Sequence, residues 1–540
     1  MKKNLVPIQE IVGKLQIPDR YVEQLGAYGA KLKLELLQDP LLPRKGKLIL
    51  VTATTPTVSG EGKTVTAIGL VQGLERIGKK AVITSREPSL GPVFGMKGGA
   101  AGAGRSTLEP SEKINLHFHG DFHAITSAHN LLSALIDAHL FHGNQLDLDP
   151  DKIMWPRALD MNDRALRHVT LSVGVGAGRQ GSNRVSEFLI TAASEIMAIL
   201  SLARNRDELR HRLESIVIGI GRNGMPIRAA ELKSIGAMMV LLDEAFLPNL
   251  VQTTEGTPAL VHCGPFANIA HGTSSVVSQE MGLRLADYVV NEVGFGSDLG
   301  FEKYMDLVSP SSGLQPSAAV LVTTVQSLKN QGQGQLQRGL ENLKKHITNL
   351  RDFGVPTIVA INRFLKDTTE ELQLIQKYCT LQGATSALSE AFSLGGEGAV
   401  ALATEVVRAI DSHPQCSLQT AYSADDTAEE KILKIVQKVY GGQGVAYSEL
   451  AAQKLAQFSR WGFGRLPVCI AKTQYSLSDD SKILGAPTGW TLHISDVKLS
   501  AGAGFLVAIS GNIVLMPGLP KESRALNIDL DALGEITGIS

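Results

Sequence analysis

Short runs rich in Val, Ile and Leu recur along the chain between longer amphipathic stretches: KLILVTA at 47–53, AVIT at 81–84, SIVIGI at 215–220, AVLVTTV at 319–325 and TIVAIN at 357–362. That alternation predicts α/β units built on a largely parallel sheet. The last fifth of the chain reads differently. LPVCIA at 466–471, WTLHI at 490–494, GFLVAIS at 504–510 and NIVLM at 512–516 follow one another closely across glycine-containing turns, which predicts a strand-rich terminal unit. The polar stretch KNQGQGQLQRG at 329–339 and the glycine-rich YGGQG at 440–444 lack apolar periodicity and are the expected joints. The expected organisation is a large first domain over 1–330, a middle α/β domain over 331–440 and a strand-rich α/β domain over 441–540.

Length and composition are consistent with this. At about 150 residues per domain, 540 residues suit three or four folding units. Hydrophobic residues at 44% and charged residues at 19% supply several apolar cores, which excludes a disordered chain. Lys and Arg number 52 against 53 Asp and Glu, so there is no global basic field of the kind that drives binding to a phosphate backbone, and nucleic acid is not an expected partner. Cys263, Cys379, Cys416 and Cys469 are widely spaced without a C-x-x-C; neither a zinc site nor a disulfide framework is supported, and a reducing compartment fits. Pro7, Gln9 and Glu10 interrupt any apolar stretch at the N-terminus, and no run approaches the roughly 18 residues of a membrane span. A cytoplasmic protein without membrane contact is expected.

TPTVSGEGKT at 55–64 lies directly after KLILVTA and directly before the helical stretch TVTAIGLVQGLERIG. Strand, loop and helix in this order make a phosphate cradle: small residues let successive N–H groups turn inward, the helix N-terminus adds partial positive charge, and a lysine reaches the outer phosphates. Lys63 is that lysine and Thr64 the candidate Mg²⁺ ligand, with Pro56, Thr57, Val58, Ser59, Gly60, Glu61 and Gly62 completing the ATP-binding loop. The G-x-x-x-x-G-K-[ST] template has glycine where this chain has Thr57. The first domain is therefore expected to be a P-loop nucleotide-binding domain with a largely parallel sheet, followed by two smaller α/β domains.

A second glycine-rich run, REPSLGPVFGMKGGAAGAG at 86–104, carries two cations, Arg86 and Lys97. It offers backbone donors together with a guanidinium suited to bidentate capture of a carboxylate or phosphate. With REPSLGP, the KGGAAG run and the GEGKT loop, the chain resembles the formate–tetrahydrofolate ligases. Matching stretches continue through INLHFHGDFHAI (114–125), PNLVQTTEGTPALVHCGPFANIAHG (248–272), AKTQYSLSDD (471–480), SAGAGF (500–505) and MPGLP (516–520).

The resemblance implies ATP-dependent ligation of formate to tetrahydrofolate through formyl phosphate, giving 10-formyltetrahydrofolate, ADP and phosphate. It further implies Mg-ATP and tetrahydrofolate as substrates, a monovalent cation and a homotetramer. By the same resemblance Arg86 and Lys97 bind formyl phosphate, and Lys63, Arg86 and Glu87 are the catalytic set. Glu87 orients the arginine or handles a proton, or else forms a simple ion pair. Phe364, after AIN, and Phe392, ahead of GGEG, match the family's pteridine sandwich, so the middle domain contributes to the folate site. The chain departs from the family pattern at Arg105, at Gln326 and over MDLVSPSSG at 305–313.

Other clusters are less specific. His117, His119, His123 and His129 crowd one segment around Asp121; with no helical H-E-x-x-H they are read as hydrogen-bonding histidines in preference to a metal site. Asp298 and Glu302 share a face if helical, which leaves Mg²⁺ binding and a solvated acidic face equally open. The rival functions are a nucleotide-gated switch ATPase and an ATP-dependent carboxylating ligase, and substrate-dependent ATP turnover separates all three.

Overall fold

KLILVTA forms β1 (Lys47–Ala53) and AVIT opens β2 (Ala81–Ser85) in the structure, a computed structural model that describes residues 5–173, 182–511 and 513–539. Further along come β3 (Asn249–Thr253), β4 (Pro258–Val261), β5 (Tyr288–Gly296), β6 (Pro316–Thr323), β7 (Thr357–Asn362) and β8 (Thr385–Ser389). All but β3 run parallel, in the spatial order β4-β2-β5-β1-β6-β7-β8. β3 and the short strands Ala30–Leu32 and Val22–Gln24 extend the β4 edge in antiparallel fashion. The centre of the sheet is covered on both faces: every residue of β2, and every residue of β1 after Lys47, is buried. Unbroken apolar runs are the sequence signature of such strands. A parallel sheet also opens all its carboxyl ends on one edge, which is where the loops expected to carry chemistry leave it.

Helix α1 (Lys63–Arg76) returns from the loop after β1 and is buried on nearly all sides. Gly69 permits this, since a Cβ there would stand 2.2 Å from the Cβ of Ala391. Helix α2 (Asp121–Phe141) follows the second glycine run. Helices α3 (Val325–Gln331) and α4 (Leu336–Asp352) lie between β6 and β7. The polar stretch 329–339 is thus the turn of a helix pair. β6 before it and β7 and β8 after it belong to one sheet, which runs across position 330 without a break.

Two expected strands need correction. SIVIGI does supply a strand, Val217–Gly221, but in a separate three-stranded sheet with Leu148–Ile153 and Pro226–Arg228. Apolar character reports burial and not the sheet in which a strand is buried. NIVLM gives no strand over its described residues 513–516, and Asn512 lies outside them. Its carbonyls serve other elements: Leu515 O accepts from Ile190 N–H at 2.9 Å and Met516 O from Arg167 Nε at 2.8 Å.

The strand-rich terminal unit is a four-stranded sheet in the order Gly444–Tyr447, Thr491–Ser500, Phe505–Ser510, Val468–Ala471. A fully buried ion pair, Lys472 Nζ to Asp298 Oδ2 at 2.8 Å, joins it to the segment after β5. Asp298 and Glu302 are therefore interior residues, and the solvated acidic face is excluded. Among the described residues no helix is long and apolar enough to cross a membrane.

Candidate active site

The loop after β1 turns on Gly60 and Gly62, at φ +80° and +68°. Gly62 caps α1, and a Cβ there would stand 2.3 Å from Asn362 Nδ2, so backbone and space both demand glycine. Neighbouring elements brace the loop. Thr55 N–H donates to His346 Nε2 at 2.9 Å, which makes Nδ1 the protonated nitrogen, donating to Ser297 Oγ at 2.7 Å. Burial lowers the pKa of that imidazole to about 4 and keeps it neutral. Asn362 Nδ2 donates to Glu61 O at 3.0 Å. The Glu61 carboxylate accepts from Thr57 N–H at 2.7 Å and from the Thr324 hydroxyl. Two loop amides expected to face phosphate are thus engaged internally, Thr57 with Glu61 and Gly60 with Thr57 O at 3.1 Å. Pro56 is buried, and Val58, Ser59 and Gly60 form the exposed tip.

Beside the loop, two cations meet on one carboxylate, and a third, Lys97, acts on it electrostatically. Glu292 lies on β5, between β1 and β2, so it stands between a lysine arriving from one neighbour and an arginine arriving from the other. Lys63 Nζ is 3.7 Å and Arg86 NH2 3.9 Å from Glu292 Oε1. Lys63 Nζ also donates to Phe295 O at 3.0 Å, and Arg86 NH1 to Pro265 O at 3.1 Å. Burial pulls the Lys63 pKa down to about 8, with Glu292 opposing and Arg86 and Lys97 reinforcing the shift. Burial alone would raise Glu292, but Lys63, Arg86, Lys97 and the Thr64 hydroxyl together hold it below the ordinary carboxylate value. Lys97 is lowered by desolvation and then by the like charge of Arg86, effects muted by the solvent contact its side chain keeps. Three cations around a single carboxylate leave surplus positive charge at a sheet edge, an arrangement fit for a phosphate or carboxylate.

On the other side of the loop, Asn362 pairs with Ser389 across β7 and β8. Phe364 and Phe392 lie two and three residues past these strand ends and are 45% and 57% exposed, so neither is a core residue. Arg105 N–H donates to Phe392 O at 3.0 Å, tying this edge to the end of the segment that carries Lys97. A cavity of about 860 Å³ adjoins the loop tip, lined among others by Thr57, Val58, Gln326, Lys329, Tyr475 and Lys482. Sequence reasoning missed it because its walls come from three distant segments. Glu292, His346 and Thr324 were missed for a similar reason: none stands in a motif, and pairing or packing brings each to the loop.

The model of the formate–tetrahydrofolate ligase family matches residues 1–540. The chain belongs to this family. A formate–tetrahydrofolate ligase of Pseudothermotoga lettingae is 50% identical over 546 aligned residues, covering 99% of this chain and 98% of that protein. The ligases of Thermotoga maritima and Thermotoga petrophila are each 48% identical over 545, covering 99% of this chain and all of theirs. Membership makes the chain an enzyme of the ligase class.

Within this ligase family member the sequence-expected residues divide. Lys63 and Arg86 meet on Glu292, and Thr64 and Lys97 act on the same carboxylate electrostatically. Glu87 does not join them: it is buried, its Oε2 has no hydrogen-bond partner, and its charged neighbours are Asp121, Lys31 and Asp160. Burial, then Asp121, raises its pKa well above the carboxylate range. Arg86 pairs with Glu292 and not with its sequence neighbour. The histidines are engaged separately. His129 Nδ1 contacts Ser194 Oγ at 2.8 Å beneath a stacked Trp155, and His119 Nδ1 contacts Asn249 Oδ1 at 2.8 Å, while His117 and His123 are exposed.

Proposed function

We propose that this chain ligates formate to tetrahydrofolate at the expense of ATP, through formyl phosphate. One observation carries the reading: Lys63 of the phosphate loop and Arg86 of the second glycine run stand on the same Glu292 oxygen, at 3.7 and 3.9 Å. A γ-phosphate held by Lys63 is then next to a carboxylate held by Arg86. Formate has no leaving group, so an amine does not acylate on it directly. A formate oxygen attacks the γ-phosphorus, the bond to the bridging oxygen breaks, and ADP leaves. N10 of tetrahydrofolate then attacks the formyl carbon, the carbon–oxygen bond to phosphate breaks, and N10 loses its proton. Such transfer depends mainly on positioning and on neutralising charge, which Lys63, Arg86 and Lys97 supply. The Thr64 hydroxyl, at the first turn of α1 and near enough to help hold Glu292 ionised, offers the oxygen ligand that a nucleotide-bound Mg²⁺ takes, and the ion would neutralise phosphate charge there.

The cavity beside Thr57 and Val58 is of a size for a nucleoside. The exposed faces of Phe364 and Phe392 suit a flat pteridine, and the Arg105 bond to Phe392 O places that edge against the run bearing Lys97. ADP release measured with formate and tetrahydrofolate together, with each alone, and with acetate or bicarbonate in place of formate tests the reading. Turnover is expected only with formate plus tetrahydrofolate; equal turnover with another acid, or turnover independent of tetrahydrofolate, refutes it.

A further inference from the structure

Lys97 sits on a turn, residues 95–99, that follows the five-residue helix Leu90–Phe94. The start of that helix is fixed by Asp160, whose carboxylate accepts from Ser89 Oγ at 2.6 Å and from Leu90 N–H at 2.9 Å. The turn itself is held by the last residues of the chain. Arg524 N–H donates to Gly95 O at 2.7 Å, and Gly99 N–H donates to Ile539 O at 2.8 Å. These bonds fall two residues before and two residues after Lys97. Both come from one folded unit. Strands Asp529–Leu530 and Ile536–Thr537 pair as a hairpin, Asn527 N–H closes on Arg524 O at 2.9 Å, and Ile539 is buried to 5% exposure. The root of the unit is anchored independently: Met516 O accepts from Arg167 Nε and Leu519 O from Arg164, on the chain segment that also supplies Asp160.

We propose that residues 523–539 are a clasp that positions Lys97 in the anion site, so that a segment outside both glycine-rich loops sets the affinity of that site for the carboxylate substrate. The inference rests on the reading of Arg86 and Lys97 as the formate and formyl phosphate site. Two bonds on either side of one lysine fix where its backbone stands relative to Arg86, and misplacement of a binding charge by about 1 Å is enough to cost up to ~10²-fold in rate. ATP is held by the loop after β1, and the bonds that brace that loop come from His346, Asn362 and Thr324 and not from this turn.

The test uses two variants of the full enzyme. Arg524→Pro deletes the N–H that bonds Gly95 O at the first residue of the short helix Arg524–Leu526, a position that accommodates proline, and Arg524→Ala keeps the N–H while removing the guanidinium that lies against Gly98, which controls for loss of the side chain. A chain ending at Ser523 removes both bonds. The expected result is a formate KM raised about tenfold or more in Arg524→Pro and in the shortened chain, with the Mg-ATP KM within about twofold of the parent, and Arg524→Ala close to the parent. Lys97→Ala added to the shortened chain should then change the formate KM little, because the lysine is already misplaced. Additive effects, or equal rises in both KM values, overturn the clasp. Hydrogen exchange separates the clasp from the site reading: the Gly99 amide should lose protection in the shortened chain, and retained protection overturns the clasp without reference to activity. A full-length Lys97→Ala enzyme with unchanged formate KM overturns the site reading instead.

Discussion

Glu292→Gln is the most discriminating perturbation of this site, because it removes the one carboxylate among three cations while keeping the shape of the side chain. At about 4 Å and an effective dielectric near 20, a unit charge pair interacts by about 4 kcal/mol. Glu292 and Lys63 are 3.7 Å apart and both mostly buried. One pKa unit corresponds to about 1.4 kcal/mol, so the gross effect is about three units, and relaxation and water entry reduce it to about one to two. Lys63 already stands at about 8 in the parent. Loss of Glu292 leaves Arg86 and Lys97 unopposed and drives it lower still. The consequence is read in the pH dependence of Mg-ATP binding. Protonated Lys63 holds phosphate, so binding takes up a proton and affinity falls as pH rises through the free-protein pKa. The parent should show this falling limb near pH 8, and Glu292→Gln should show it about one to two units lower. Below the limb the variant should bind at least as tightly as the parent, because a carboxylate that repels phosphate is gone. Titration calorimetry in buffers of different ionisation enthalpy reports the proton uptake directly. A limb that stays near pH 8, or moves to higher pH, would show that Glu292 does not set the charge on Lys63.

Arg86→Lys keeps the charge but loses the planar fork, so the formate KM should rise about tenfold with the ATP KM unchanged; equal formate KM values would remove Arg86 from the anion site. Phe364→Ala and Phe392→Ala should each weaken tetrahydrofolate binding by at least ~1 kcal/mol, with Phe392→Trp tolerated; two folded Ala variants that bind tetrahydrofolate as the parent does would place the pterin elsewhere. Asp306 is buried beside Glu302, and burial raises its pKa to about 7. Unfolded Asp titrates near about 3.9, so the contribution of this group is fully present below that pH and is lost as pH rises through 7. Asp306→Asn, which keeps an acceptor for the Ala421 N–H now bonded at 2.7 Å, should therefore raise Tm more at pH 8 than at pH 5.5; a larger gain at the acid pH refutes the assignment.

By itself the sequence determined what depends on neighbours along the chain. KLILVTA, GEGKT and the helix after them lie in one strand, loop and helix because apolar burial, positive φ at Gly60 and Gly62, and a helix N-terminus are local demands. The cations Lys63, Arg86 and Lys97 and the aromatic residues Phe364 and Phe392 were legible for the same reason, each standing inside or beside a motif. Tertiary structure decided which of them meet. Only the parallel order β2-β5-β1 puts Glu292 between Lys63 and Arg86, across 229 and 206 positions of chain (292 − 63 and 292 − 86), and only that order leaves adjacent Glu87 facing Lys31 and Asp121. It likewise sent SIVIGI to a second sheet and gave the carbonyls of NIVLM to Ile190 and Arg167. A run of apolar residues fixes that a segment is buried, but the partner that buries it is chosen by the whole chain, because backbone hydrogen bonds and charge pairs act over a few ångströms in space whatever the distance in sequence.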